Sequence, residues 1–176
     1  LNGEDIEHIL VYYTTAMATF VILHNIRSAH NVGSIFRTSD GAGVAKIYIT
    51  GYTPAPIDRF GRENTEIAKT SLGATQTVSY EVVEDVAVVI KSLKETGVQI
   101  VAVEQTERAV DYTKFEQAGD VAFIFGNEIT GVEKDVLEYA DAHIQVPMSG
   151  AKESLNVSVC AGIVLFHFRD VVAVSL

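Results

Sequence analysis

The feature that most constrains this chain is a repeated switch of period. Short runs of β-branched and aromatic residues alternate with stretches whose apolar residues recur every three or four positions. Residues 19–24, 45–50, 77–83, 98–103, 121–125 and 142–146 read as strands. Between them, 31–42 sets Val32, Ile35, Phe36 and Ser39 at helical spacing. Segment 66–72 reads as one short helix stopped by Gly73. Segment 84–96 opens with acidic residues, carries Lys91 and Lys94 late and stops at Gly97, as a helix should. Further helices are expected at 133–139 and 154–172. Strand and helix in alternation imply an α/β fold, with a mostly parallel sheet and helices on both faces. Residues 1–18 read as an N-terminal extension and 19–176 as a single domain. The last helix is apolar almost all round, through Val157, Val159, Ile163, Val164, Leu165, Phe166 and Phe168. Such a helix should be covered on more than one side, and a subunit interface is a natural place for that.

Several classes are excluded early. A single cysteine, Cys160, permits neither an internal disulfide nor a multi-cysteine zinc site. Set among Val159, Ala161 and Ile163, it reads as a packed core thiol, and a reducing, cytoplasmic setting is expected. No apolar run approaches the roughly 18 residues of a membrane helix, so no membrane partner is expected. Glu4, Asp5 and Glu7 do not make the basic start of a signal peptide. The net charge of −10 argues against a nucleic-acid partner, but the basic residues are not evenly spread. Arg27, Arg37, Lys46, Arg59, Arg62 and Lys69 fall in one window that holds only Asp40, Asp58, Glu63 and Glu66 as acids. Association with a polyanion follows the local field.

In an open parallel sheet, ligands bind beyond the carboxyl ends of the strands. Three connections there mix glycine with polar side chains: 24–33 after the first strand, 126–131 after Phe123-Ile124-Phe125, and 147–156 after Ile144-Gln145-Val146. Glycine allows tight turns and close backbone approach to a ligand. Helix starts aim N–H groups at it. The plainer reading makes them ordinary connections with Asn31 and Ser154 as helix N-caps. Neither a dinucleotide fingerprint nor a phosphate-binding loop is present, and no Ser-His-Asp order is evident. The five histidines are scattered, so no metal is expected. Arg37 stands out on an otherwise apolar helix, where its planar fork would suit an anionic or hydroxyl-bearing substrate.

These loops, in this order, resemble the three motifs of the SpoU/TrmH family of RNA 2′-O-ribose methyltransferases, within the SPOUT superfamily. The first motif is similar to 31–44, beginning Asn31-Val32-Gly33 and including Arg37. The second is similar to 123–132, around Gly126-Asn127-Glu128. The third is similar to Val146-Pro147-Met148-Ser149-Gly150 followed by Ser154-Leu155-Asn156-Val157-Ser158-Val159. Lys69-Thr70-Ser71-Leu72-Gly73-Ala74 also looks like a segment common in these enzymes. The resemblance spans about residues 20–170. It implies a SPOUT-type fold with a C-terminal trefoil knot, a homodimer, and S-adenosylmethionine as the methyl donor with no metal. It implies methyl transfer to a ribose 2′-hydroxyl of tRNA or rRNA, tRNA slightly favoured, and no DNA partner. Carried over by position, it makes Arg37, Asn31, Glu128, Ser154 and Asn156 the catalytic set, and Gly126, Val146 and Leu155 the cofactor-binding set. Val146 stands where isoleucine is more usual.

The alternative is an inactive RNA- or S-adenosylmethionine-binding protein of the same fold, which the acidic charge favours. A flavodoxin-like phosphate-binding domain would explain the alternation but not the third motif. Tyr52, Phe60, Arg59 and Arg62 share one loop and suit RNA contact, though the two rings would equally serve to pack that loop down.

Overall fold

The computed structural model describes residues 17–169. The expected N-terminal extension, all but Met17 and Ala18, lies outside the described residues.

The chain runs β1 (Thr19–His24), α1 (Ala29–Ala42), β2 (Lys46–Thr50), α2 (Thr65–Ser71), α3 (Ala74–Thr77), β3 (Tyr80–Val83), α4 (Val86–Glu95) and β4 (Gln99–Val103). It continues with β5 (Val110–Asp111), a 3-10 turn (Tyr112–Lys114), β6 (Val121–Phe125), α5 (Lys134–Tyr139), β7 (Ala142–Gln145) and α6 (Val157–His167). The strands form one seven-stranded sheet in the order β3-β2-β1-β6-β4-β7-β5. Every pairing in it is parallel. No described helix is long and apolar enough to cross a membrane.

Side-chain alternation sorts the core into two layers. Val121, Phe123 and Phe125 of β6 point to one face and Ala122 and Ile124 to the other. The first face carries Val21, Leu23, Ile47 and Ile49 beneath Val32, Ile35 and Phe36 of α1, Ile67 of α2, and Ala161, Val164 and Leu165 of α6. The second carries Ile22 and Ile100 beneath Val86, Val89, Ile90 and Leu93 of α4 and Val136 of α5. Helices therefore cover both faces, as the strand-helix alternation requires. Gly33 allows α1 its close approach to α2: a Cβ there would lie 2.6 Å from the carbonyl oxygen of Ile67.

Most elements shift by a residue or two from the sequence reading, and four differences have a clear local reason. Ser28, not Asn31, caps α1, its Oγ accepting from the Asn31 N–H at 3.3 Å. The Asn31 side chain is engaged elsewhere. Asn156, not Ser154, caps α6, its Oδ1 accepting from the Ser158 N–H at 2.8 Å. The stretch expected as strand from residue 77 begins only at Tyr80. Gly73, left-handed at φ 92°, restarts a helical turn there, and the Thr77 hydroxyl donates to Asp40 Oδ1 at 2.6 Å. Helix α6 is shorter than 154–172 and ends at His167. Beyond it the Phe168 ring lies 5.1 Å from that of Phe123 and 5.7 Å from that of Phe115. Residues 170–172 lie outside the described residues.

Candidate functional site

The carboxyl ends of β1, β6, β4 and β7 meet at one edge of the sheet, and a cleft of about 170 Å³ opens there. Its lining includes Gly126, Glu128, Val146, Ser154 and Leu155. The loop after β6 is shaped by its own sequence. Asn127 and Gly131 exchange backbone hydrogen bonds at 3.1 and 2.9 Å. Asn127 Oδ1 accepts from the N–H groups of Ile129 and Thr130 at 2.8 and 3.0 Å. Gly131 is left-handed, at φ 69°. Gly126 lies so close under this turn that a Cβ would come within 2.5 Å of the Val132 nitrogen. Glycine is needed there for packing rather than for its φ.

Glu128 ties the motifs together. Its Oε2 accepts from the Arg27 N–H at 2.9 Å. Its Oε1 accepts from the Ser28 N–H at 3.0 Å and from Asn31 Nδ2 at 2.9 Å. Asn31 Oδ1 in turn accepts from Asn156 Nδ2 at 3.1 Å. Asn156 Oδ1 takes the Ser158 hydroxyl at 2.7 Å. One relay of hydrogen bonds thus joins a residue from each of the three loops: Glu128, Asn31 and Asn156. Asn31, 7% exposed, is its buried centre. Burial alone would raise the Glu128 pKa. The Arg27 N–H, the Asn31 amide and the Ser28 N–H outweigh that and hold the carboxyl below its ordinary value.

A second network stands behind the first. His24 Nδ1 meets the Thr50 hydroxyl at 2.8 Å, and His24 Nε2 lies 2.8 Å from Glu133 Oε2. Asn25, left-handed at φ 56°, donates through Nδ2 to Glu133 Oε1 at 2.7 Å. Asn127 Nδ2 donates to the Asn25 carbonyl at 3.0 Å and to the Tyr52 hydroxyl at 2.8 Å. The loops after β1, β2 and β6 are thereby stitched to one another.

Of the eight site residues named from the sequence, Gly126, Glu128, Val146, Ser154 and Leu155 line the cleft. Asn31 and Asn156 stand in the relay beside it. Arg37 does not join them. It lies six residues beyond Asn31 along α1, about 9 Å of helix rise. It is exposed beside a second cavity with Ser34, Thr38, Thr70 and Phe166. The sequence reading missed the loop after β4, which brings Glu104 and Gln105 to the cleft. Glu104 Oε2 accepts from the Val132 N–H at 2.9 Å, and Gln105 Nε2 donates to the Glu153 carbonyl at 2.7 Å. The signal was available: Glu104 follows directly on the apolar run that ends at Val103. Cys160 is only partly buried in the core and borders the cleft. Burial, with Glu104 adding to it, pushes its thiol up to about 11. Among the described residues, no group of three or more His, Cys, Asp or Glu stands close enough to hold a metal ion.

Known proteins share this architecture. A crystal structure of an AdoMet-bound rRNA methyltransferase from Sinorhizobium meliloti matches with a TM-score of 0.77 at 29% identity, over 85% of this chain and 54% of that one. A TrmH/SpoU tRNA modifying enzyme from A. aeolicus matches with a TM-score of 0.74 at 27% identity, over 93% of this chain and 80% of that one. In sequence, the 23S rRNA (guanosine-2′-O-)-methyltransferase RlmB of Vibrio parahaemolyticus is 33% identical over 167 residues, 95% of this chain and 64% of that protein. RlmB of Neisseria meningitidis is 34% identical over 85% of this chain and 57% of that protein. The chain thus spans less than two thirds of the length of these curated relatives. The profile of the SpoU rRNA Methylase family matches residues 18–166, a span that holds all three loops and the relay between them. On that match the chain belongs to the SpoU rRNA methylase family.

Proposed function

We propose that this protein transfers a methyl group from S-adenosylmethionine to a ribose 2′-hydroxyl of RNA. The observation that carries this reading is the relay Glu128–Asn31–Asn156, which gathers the three motif loops at the mouth of one cleft. Ribosomal RNA is the favoured substrate, ahead of tRNA, because the curated relatives are named for 23S rRNA. That reverses the slight preference for tRNA drawn from the sequence. The C-terminal knot implied by the resemblance belongs to this reading, as does work in the cytoplasm.

The cleft suits the methyl donor. Gly126 lets the 126–131 turn close tightly at the cleft wall, the Gly131 and Val132 backbone lying where a side chain would stand, and Val146 and Leu155 offer apolar walls. These three would hold S-adenosylmethionine, with Glu104 and Gln105 at the rim. When bound, the donor supplies a methyl group on a positively charged sulfur. The chain must then align the acceptor oxygen and accommodate its proton. The three donors that hold Glu128 charged give it the work of shaping the pocket and fixing Asn31. Arg37 orients the ribose hydroxyl and its neighbouring phosphate through paired hydrogen bonds. Ser154, at the edge of the cleft, orients Arg37 or touches the RNA.

Arg37 reaches this chemistry through a second copy of the chain. It sits beside Phe166, on the side where α6 leaves Val159 and Phe166 51% and 43% exposed. A homodimer formed there covers those side chains and sets Arg37 at the subunit boundary. The test is transfer of labelled methyl to unmodified 23S rRNA and, separately, to tRNA. The expected result is label in rRNA, resistant to alkali at the next phosphate, with the rate lost in Arg37→Ala. Label in neither RNA while S-adenosylmethionine still binds would leave a binding protein of this fold.

A further inference from the structure

The segment between β2 and α2 is a built hairpin. Ile57 and Glu63 form an antiparallel bridge. The Asp58 N–H donates to the Arg62 carbonyl and the Gly61 N–H to the Asp58 carbonyl, both at 2.9 Å. Gly61 is left-handed, at φ 77°. Asp58 fastens the tip from its side chain. Its Oδ1 accepts from the N–H groups of Phe60 and Arg62 at 2.8 and 2.9 Å, and its Oδ2 from Arg62 Nε at 2.8 Å. The Asn64 N–H closes the base on the Pro56 carbonyl at 2.8 Å.

This hairpin presents an apolar ring to solvent. Phe60 is 65% exposed. The guanidinium of Arg59 lies 4.8 Å from its ring centre and that of Arg62 lies 5.0 Å away. A phenylalanine at this exposure adds little to the chain's own core, so packing the loop down does not explain it. The foot of the same loop is tied to the cleft. The Tyr52 hydroxyl takes the Asn127 amide, and Thr53 Oγ1 accepts from the Ile26 N–H at 3.0 Å.

We propose that the 57–63 hairpin is a docking platform for an unpaired stretch of RNA, whose bases stack on Phe60 and on the guanidinium planes of Arg59 and Arg62. The inference rests on the reading of the chain as an RNA methyltransferase. Single-stranded RNA is recognised by stacking on aromatic rings and arginine planes, which duplex RNA does not offer to a surface of this kind. The hairpin holds Asp58 and Glu63 as well as the two arginines, so stacking rather than net charge supplies the binding. That fits a protein whose total charge is −10. The pre-formed turn keeps the ordering cost of the platform low.

The test is fluorescence anisotropy of the full-length protein with a labelled 12-nucleotide RNA, single-stranded and as its duplex. Phe60→Ala is expected to weaken single-strand binding about tenfold, in line with the loss of one stacked base. Duplex binding, S-adenosylmethionine binding and the melting temperature should not move. Phe60→Tyr keeps the ring and should stay within about twofold of the parent. Arg59→Ala with Arg62→Ala should weaken single-strand binding by removing two stacking planes. Unchanged single-strand affinity in Phe60→Ala, or no preference of the parent for single strand over duplex, overturns the proposal. The methyl-transfer assay separates this from the catalytic reading. Binding through Phe60 without transfer to any RNA removes the catalysis and keeps the platform. Transfer at an unchanged KM in Phe60→Ala removes the platform and keeps the catalysis.

Discussion

Helices α4 and α6 cover opposite faces of one sheet and differ in how completely the chain accounts for them. Helix α4 buries Val86, Val89, Ile90 and Leu93 and turns Lys91, Ser92, Lys94 and Glu95 to solvent. Only Val88 breaks the pattern. Helix α6 buries Ala161, Val164 and Leu165, yet its outward side carries Val159 and Phe166. An amphipathic helix is complete once its stripe meets the sheet. A helix apolar all round leaves apolar side chains exposed wherever the sheet does not cover it. One face of this protein is finished within the chain, and the other leaves apolar side chains exposed that the proposed homodimer would cover.

The largest effect expected from this contrast is on assembly. Phe166→Asp places a charge on the side assigned to the dimer, and twofold symmetry does so twice per interface. Burying an unpaired carboxylate costs several kcal/mol, so dimer affinity should fall by about a thousandfold, and methyl transfer with it. Sedimentation equilibrium reads the first and labelled transfer the second. Val88→Asp on α4, a still more exposed apolar position, should change neither. If both variants keep the parent's mass, the two faces do not differ as argued.

Next comes an effect on the finished face. Ile90 is fully buried against the sheet. Ile90→Ala should cost about 2–5 kcal/mol of unfolding free energy, through lost burial and the cavity left behind. A denaturant titration should show the loss equally at low and high protein concentration, because nothing on this face depends on a partner. The melting temperature of the parent itself should rise with concentration, as for any folded state stabilised by association.

The same contrast explains what could be read from the sequence. Strands 19–24 and 121–125 were legible to the residue, since a buried parallel strand is a run of β-branched and aromatic side chains with few alternatives. Segment 77–83 was half misread, because Thr77 and Val78 have strand propensity while Gly73 and the Thr77–Asp40 hydrogen bond impose another helical turn. The N-caps were misplaced for a related reason. Asn31 and Ser154 are good caps in isolation, but the Asn31 side chain is claimed by residues about a hundred positions away. Local propensity carries no trace of such long-range pairs. The family resemblance did bring Asn31, Glu128 and Asn156 into one list, and the structure joins them. It could not show that Arg37, on the same helix as Asn31, faces a different cavity. The six-residue offset from Asn31, about 240° around α1, sets Arg37 on another side of the helix, but spacing alone does not say which cavity that side meets.

The smallest predicted effect concerns the relay itself, at the edge of the cleft between the two faces. Three donors hold the Glu128 carboxyl below its ordinary value of 4.5. A lowered pKa means that the charged form supports the folded loops. That support is whole above the ordinary value and is lost as the pH falls through the lowered one. Glu128 is exposed, so solvent screens much of the interaction. Glu128→Gln keeps one acceptor oxygen but adds an amide whose hydrogens face the Arg27 or Ser28 N–H group. S-adenosylmethionine affinity near neutral pH should therefore fall modestly, by about threefold. In the parent the affinity should decline in the acid limb below 4.5, and in the variant that limb should flatten, because the variant has no proton to gain there. Calorimetric titration of the donor from neutral pH into the acid range separates the two profiles. An acid limb unchanged in Glu128→Gln would show that Glu128 does not set it.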